Sequence, residues 1–285
     1  MVKIVLGVLV VLTLAFLYFF VTDFMKNKNN LSKTGWVPLL GTGFITNFLD
    51  TLGIGSFAPT TALFKLGKMV EDKFIPGTLN VGDTVPVVLE ALLFITAIDV
   101  EPITLIGMLF AATLGAVIGA GVVSKLPVKT IRIGMGGALL VVGFFMLAGK
   151  MGWMPGGGEA IGLTGGKLII GIAVNFVLGA LMTIGVGLYA PCMALVYALG
   201  LSPRVAFPIM MGSCAFLMPA AGMKFVKEEA QDRKASMALT LGGAVGVFIA
   251  YYIVKSLPLG LLTWLVIVVI AYTAITMLRS AFAEN

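Results

Sequence analysis

The chain has 285 residues, 59% of them hydrophobic and only 11% charged, and its mean hydropathy is +1.09. Soluble domains carry about 25% charged residues, so an ordinary soluble domain is excluded; apolar runs of about 20 residues without alternation fit spanning helices and not a β-barrel. The net charge of +6 comes from basic loops, which set membrane topology and do not indicate nucleic-acid binding; histidine is absent, and Cys192 and Cys214 lie in apolar surroundings that argue against a disulfide framework or a metal site.

The first apolar run, 2–22, is long, and no small-residue cleavage pattern follows at Val21-Thr22-Asp23. It reads as a retained helix and not as a signal peptide. With the polar linker holding Lys26, Lys28 and Lys33 it forms a first segment, 1–35. The run 36–66 reads as two half-helices broken at Gly53 and Gly55. Spans predicted at 75–97, 102–123 and 130–149 complete a first membrane repeat, 36–150. After a loop with Pro155-Gly156-Gly157-Gly158, a second broken unit at 165–200 and spans at 203–222, 235–254 and 259–281 form a second repeat, 164–282.

The loops test the topology. If each broken unit is a hairpin that returns to its side of origin, and the N-terminus is outside, fourteen of the nineteen basic residues fall on the cytoplasmic side. The C-terminus is then cytoplasmic, as the positive-inside rule prefers. Each repeat becomes a hairpin plus three full spans, an odd number, so the second must enter the membrane from the opposite side. The expected fold is an all-α polytopic membrane protein with inverted-topology repeats and one extra N-terminal transmembrane helix, an architecture suited to alternating access.

Two stretches are closely matched: Gly53-Ile54-Gly55-Ser56-Phe57-Ala58-Pro59 and Gly185-Val186-Gly187-Leu188-Tyr189-Ala190-Pro191. Glycine permits the break, and proline suits the first turn of the helix that restarts. A restart inside the membrane presents unpaired N–H groups and the positive end of a helix dipole. Two of them converging would hold one small anion. Candidate binding residues are Gly53, Gly55, Ser56, Thr60, Thr61, Asn80 and Thr84 in the first repeat. In the second they are Gly185, Gly187, Tyr189, Cys192 (at the position matching Thr60) and Ser213. The competing reading is that the glycines only let helices pack closely.

Ionisable groups inside a membrane are costly and face the interior or a wet cavity. Asp50 lies three residues before Gly53, with Asn47 one turn earlier and Asn175 in the second unit. Asp83 and Glu90 are seven apart and share a helix face with Asn80 and Thr84. Asp50 and Asp83 are candidates for proton coupling; a structural hydrogen bond to broken-helix backbone or a lysine is the alternative. Glu90, placed near the outer surface, is read as structural.

The segment Gly43-Phe44-Ile45-Thr46-Asn47-Phe48-Leu49-Asp50-Thr51-Leu52-Gly53-Ile54-Gly55-Ser56-Phe57, its echo at Gly185–Pro191, and the stretches Ile75–Gly82 and Met211–Phe216 together resemble the TauE/SafE sulfite exporter family. The resemblance covers the chain from about residue 36 onward. It implies a secondary transporter, an exporter in a prokaryotic inner (plasma) membrane, of small sulfur anions such as sulfite or an organosulfonate. The expected partners are that anion and the lipid bilayer, with no nucleic acid and no cofactor; monomer and homodimer both remain open. The alternative function is cation-coupled or cation transport using Asp50, Asp83 and Glu90. A membrane-embedded enzyme is disfavoured, since neither a nucleophile–base pair nor a metal-ligand cluster is visible. A purely structural protein would not need paired broken helices.

Overall fold

The computed structural model describes residues 2–52, 54–94, 99–154, 158–185, 187–253 and 259–283. They form α1 (Val2–Lys26), α2 (Trp36–Thr51), α3 (Phe57–Leu66), a 3-10 turn (Asp72–Phe74), α4 (Ile75–Gly82), α5 (Thr84–Phe94), α6 (Pro102–Val123), α7 (Val128–Lys150), α8 (Gly165–Met182), α9 (Tyr189–Ala198), α10 (Pro203–Lys227), α11 (Arg233–Ile253) and α12 (Leu259–Phe282). Among the described residues six helices are long and apolar enough to cross a membrane: α1, α6, α7, α8, α10 and α11. The only β-type pairing there is an isolated bridge between Ala160 and Leu201.

Local sequence explains the starts of α6 and α10. Glu101 caps α6 by accepting from the backbone N–H groups of Ile103 and Thr104 at 3.0 and 2.7 Å, and Pro102 opens the helix, where a missing N–H costs nothing. Those bonds hold the Glu101 carboxyl below its ordinary value of 4.5, the Thr104 N–H contributing most. Ser202 and Pro203 repeat the device at α10. The first helix runs on to Lys26, four residues past the expected end. The span expected at 75–97 is instead two helices, α4 and α5, parted at Asp83, and residues 95–97 lie outside the described residues. Pro86 is the cause. It has no N–H to offer the carbonyl four residues back, that of Gly82. Thr240 Oγ1 donates to that carbonyl instead, at 2.8 Å.

Both broken units double back. Where α2 begins, Thr34 Oγ1 donates to the carbonyl of Met69, just past α3, at 2.7 Å. Where α8 begins, Lys167 Nζ donates to the carbonyl of Leu199, just past α9, at 3.1 Å. The start of α6 joins this second end, with Glu101 N–H bonded to Ile161 O at 2.9 Å.

The packing is reciprocal between the halves. The first hairpin lays α2 on α11 and α3 on α12; the second lays α8 on α6 and α9 on α7. Glycines make the long contacts close. A Cβ on Gly246 would stand 2.4 Å from Phe44 O, and one on Gly179 would stand 2.1 Å from Ala112 O. The largely buried α10 runs through the middle, touching α4, α5, α6 and α9. α1 leans on α10, with Phe16 over Gly222. Its last turn is fixed by Asp23, which accepts from Arg233 Nε and a terminal guanidinium nitrogen at 2.8 and 3.0 Å.

Candidate functional site

The two interruptions meet in the interior. α2 ends at Thr51, Gly55 takes a φ of +92°, and α3 restarts at Phe57. In the second unit α8 ends at Met182, Gly185 takes a φ of +104°, and α9 restarts at Tyr189. Neither restart has a side-chain cap. The first-turn bonds match, Thr60 N–H to Ser56 O and Cys192 N–H to Leu188 O, both 2.9 Å.

Between the restarts lies a cavity of about 30 Å³, room for roughly one water molecule. Asp50, Ile54, Gly55, Ser56, Phe57 and Ala58 line it from the first unit; Met182, Gly187, Leu188 and Tyr189 line it from the second. Val87, Val142 and Cys214 close the walls. Of the residues chosen from sequence, the cavity brings together Asp50, Gly55, Ser56, Gly187 and Tyr189. Gly53 lies outside the described residues.

The remaining candidates do not line it. Thr60 and Thr61 are fully buried, and their hydroxyls have no hydrogen-bond partner. Asn80 Nδ2 donates to Pro76 O at 2.9 Å and to Met182 O at 3.5 Å, reaching across to the second hairpin. Thr84 Oγ1 donates to Asn80 O. Gly185 packs against the Met135 side chain. Cys192 is buried and unpaired by disulfide. Ser213 accepts from Asn175 Nδ2 at 3.0 Å. That bond corresponds to the one in the first half, where Asn47 Nδ2 donates to Asp83 Oδ1 at 2.9 Å.

Three carboxyl groups cluster at the site. Asp50 Oδ2 accepts from Ser56 Oγ at 3.2 Å, and Asp83 Oδ1 accepts from Asn47. Glu90 accepts from Thr51 Oγ1 at 2.8 Å and from Tyr189 O–H at 3.2 Å. Glu90 is fully buried and bridges Thr51 of the first unit and Tyr189 of the second. None of the three takes part in an ion pair among the described residues. Asp83 Oδ2 and Asn47 Oδ1 have no partner. An ionised carboxyl here is uncompensated, and it opposes an anion at the same place through the Coulomb repulsion that low dielectric magnifies. Among the described residues no group of three or more Cys, Asp or Glu is arranged to hold a metal ion.

Thr51 is the site residue that sequence reading missed, and Glu90 one that it set aside as structural. The signal was present: Glu90 sits two turns after Asp83 on one face, and Thr51 directly follows Asp50.

Fold and site together define the class: an all-α protein with several membrane-crossing helices, two interrupted units and a buried polar cluster where they meet. No protein-family model matches the chain, and no curated protein and no solved structure is detectably similar to it.

Proposed function

We propose that the chain is a secondary transporter of small sulfur-containing oxyanions, sulfite or an organosulfonate, exporting them across a prokaryotic inner membrane by alternating access. The observation that carries the reading is the pairing of two uncapped helix restarts on one internal cavity. Helix restarts carry partial positive charge and first-turn N–H donors, which suit an oxyanion. The substrate class itself comes from the TauE/SafE resemblance of the motif residues.

The repeats are read as inverted. The reciprocal packing supports this, since exchanging the halves sends the α2–α11 contact onto α8–α6 and the α3–α12 contact onto α9–α7. The start of α6 meets the second open end through Glu101 and Ile161, and Arg132 at the start of α7 pairs with Asp72 beside the first, so the 22 residues of α6 lie between the two openings. The basic loops favour a cytoplasmic side for the open end of the first hairpin and the C-terminus. The cavity holds about one water, so an anion enters only when the tips part, and rocking of one half against the other parts them.

A second reading, cation transport or cation coupling, is favoured by Asp50, Asp83 and Glu90 standing together without a basic partner. Sulfite flux into proteoliposomes, with and without an imposed pH gradient, separates the two. Saturable flux that competes with other sulfur oxyanions supports anion transport. Folded protein without such flux, but with sodium-dependent cation uptake, replaces it by the second reading.

A further inference from the structure

Thr51 Oγ1 stands 2.9 Å from the carbonyl of Asn47 and 2.8 Å from Glu90 Oε1. A threonine hydroxyl has one proton to give and two lone pairs to accept with. With Glu90 ionised, that proton goes to one acceptor only: Asn47 O still accepts the helical N–H of Thr51, but the carboxylate keeps its charge with two neutral donors, Thr51 and Tyr189, and no ion pair among the described residues. With a proton on Glu90 Oε1 all three contacts close as a relay. Tyr189 O–H donates to Glu90 Oε2, Glu90 Oε1–H donates to Thr51 Oγ1, and Thr51 O–H donates to Asn47 O. The relay runs from the first residue of α9 to the last turn of α2 and joins the two hairpins beside the cavity that Tyr189 lines.

We propose that Glu90 is a proton-binding latch: protonated, it ties Thr51 of the first hairpin to Tyr189 of the second and holds the tips closed, and loss of its proton to entering water releases them. An unpaired buried carboxylate is strongly disfavoured unless water or a cation reaches it, so deprotonation and opening are coupled. The groups facing Glu90 do not offer that compensation. Asp50 of α2 and Asp83 at the α4–α5 junction are acids, and Tyr189 of α9 and Cys214 of α10 are neutral neighbours. Among the described residues of the other elements packed on α5, the charges stand in end turns: Lys3, Asp23 and Lys26 of α1, Arg204, Lys224 and Lys227 of α10, Arg233 and Lys234 of α11. The latch deepens the proton coupling of the proposed transporter, but its geometry does not depend on which anion is carried.

The test uses the full chain with Cys192→Ala, Cys214→Ala and Ala58→Cys, which puts one thiol on the cavity wall. Its labelling by a water-soluble maleimide is compared with that of the same protein carrying Glu90→Gln, at each pH, so that ionisation of the thiol cancels in the ratio. Gln reproduces the protonated latch: its amide N–H donates to Thr51 and its oxygen accepts from Tyr189. The expected result is a ratio near one at about pH 5, rising to about tenfold slower labelling of Glu90→Gln at about pH 8. Thr51→Val removes the hydroxyl and moves the other way, speeding labelling at about pH 5. Opposite signs from the two variants exclude a general loosening of the fold. The latch is overturned if Glu90→Gln keeps the parent's pH dependence, or if both variants move in the same direction. In the sulfite assay Glu90→Gln loses its response to the pH gradient. If the labelling behaves as expected and no form carries sulfite, the latch stands and the substrate reading falls; if sulfite flux is present and labelling is unaffected, the reverse holds.

Discussion

Gly55 takes a φ of +92°, and a Cβ built there meets nothing within 4 Å. Its requirement is therefore one of backbone and not of space. Gly55→Ala costs about 1–2 kcal/mol through left-handed strain alone, whereas Gly187→Ala, in equally open space and without a positive φ, is close to neutral. Thermal unfolding followed by reaction of the buried Cys192 and Cys214 thiols separates the two variants. Glu101 makes a pH-dependent prediction. Its pKa is depressed in the folded chain, chiefly by the Thr104 N–H, so the stabilisation it gives is present above the ordinary value of 4.5 and is lost as pH falls through the depressed one. Glu101→Gln should melt below the wild type at neutral pH, and the gap should close under acid; a gap that persists at the lowest pH would mean that the charge is irrelevant to the cap. The Gly-x-Gly breaks were legible because glycine and proline act locally. The burial of Glu90 was not legible, because depth depends on where a helix begins, and Pro86 restarts this one at Thr84.

Helix pairing is set by close backbone approach. Gly115 and Gly179 bring α6 and α8 together, with positions for a Cβ only 2.0 Å from Phe176 O and 2.1 Å from Ala112 O. Gly242 and Gly246 do the same for α11 on α2. Backbone atoms cannot step aside as a flexible side chain can, so an added methyl forces the helices apart. Gly179→Ala should lower stability by about 1–3 kcal/mol, the usual cost of overpacking, while Gly137→Ala on α7, with nothing within 4 Å, should leave the melting temperature unchanged. Equal melting temperatures for the two variants would show that α6 and α8 tolerate separation. Sequence marked these glycines only as small residues in apolar runs. Which helix each one meets is a long-range fact that periodicity within one segment does not carry. The kink at Asp83 sits between these cases: Pro86 announced it, but the apolar run around it read as one span.

At the level of the whole chain, the decisive question is on which side each hairpin opens. Charge alone suggested the answer, because fourteen basic residues fall on one side when both units double back. The contacts show that both units double back: Thr34 meets Met69, and Lys167 meets Leu199. A single-crossing unit would separate the members of each pair by the thickness of a bilayer, about 30 Å. The prediction is made with single cysteines in a background lacking Cys192 and Cys214. Lys33→Cys and Lys68→Cys bracket the first hairpin, Glu159→Cys and Arg204→Cys bracket the second, and all four positions are exposed. Lys33→Cys and Lys68→Cys should label only from the cytoplasmic side of oriented vesicles, and Glu159→Cys and Arg204→Cys only from the other. Labelling of Lys33→Cys and Lys68→Cys from opposite sides would abolish the first hairpin. Labelling of all four from one side would abolish the proposed inversion, and with it the symmetry that the proposed rocking of one half against the other requires.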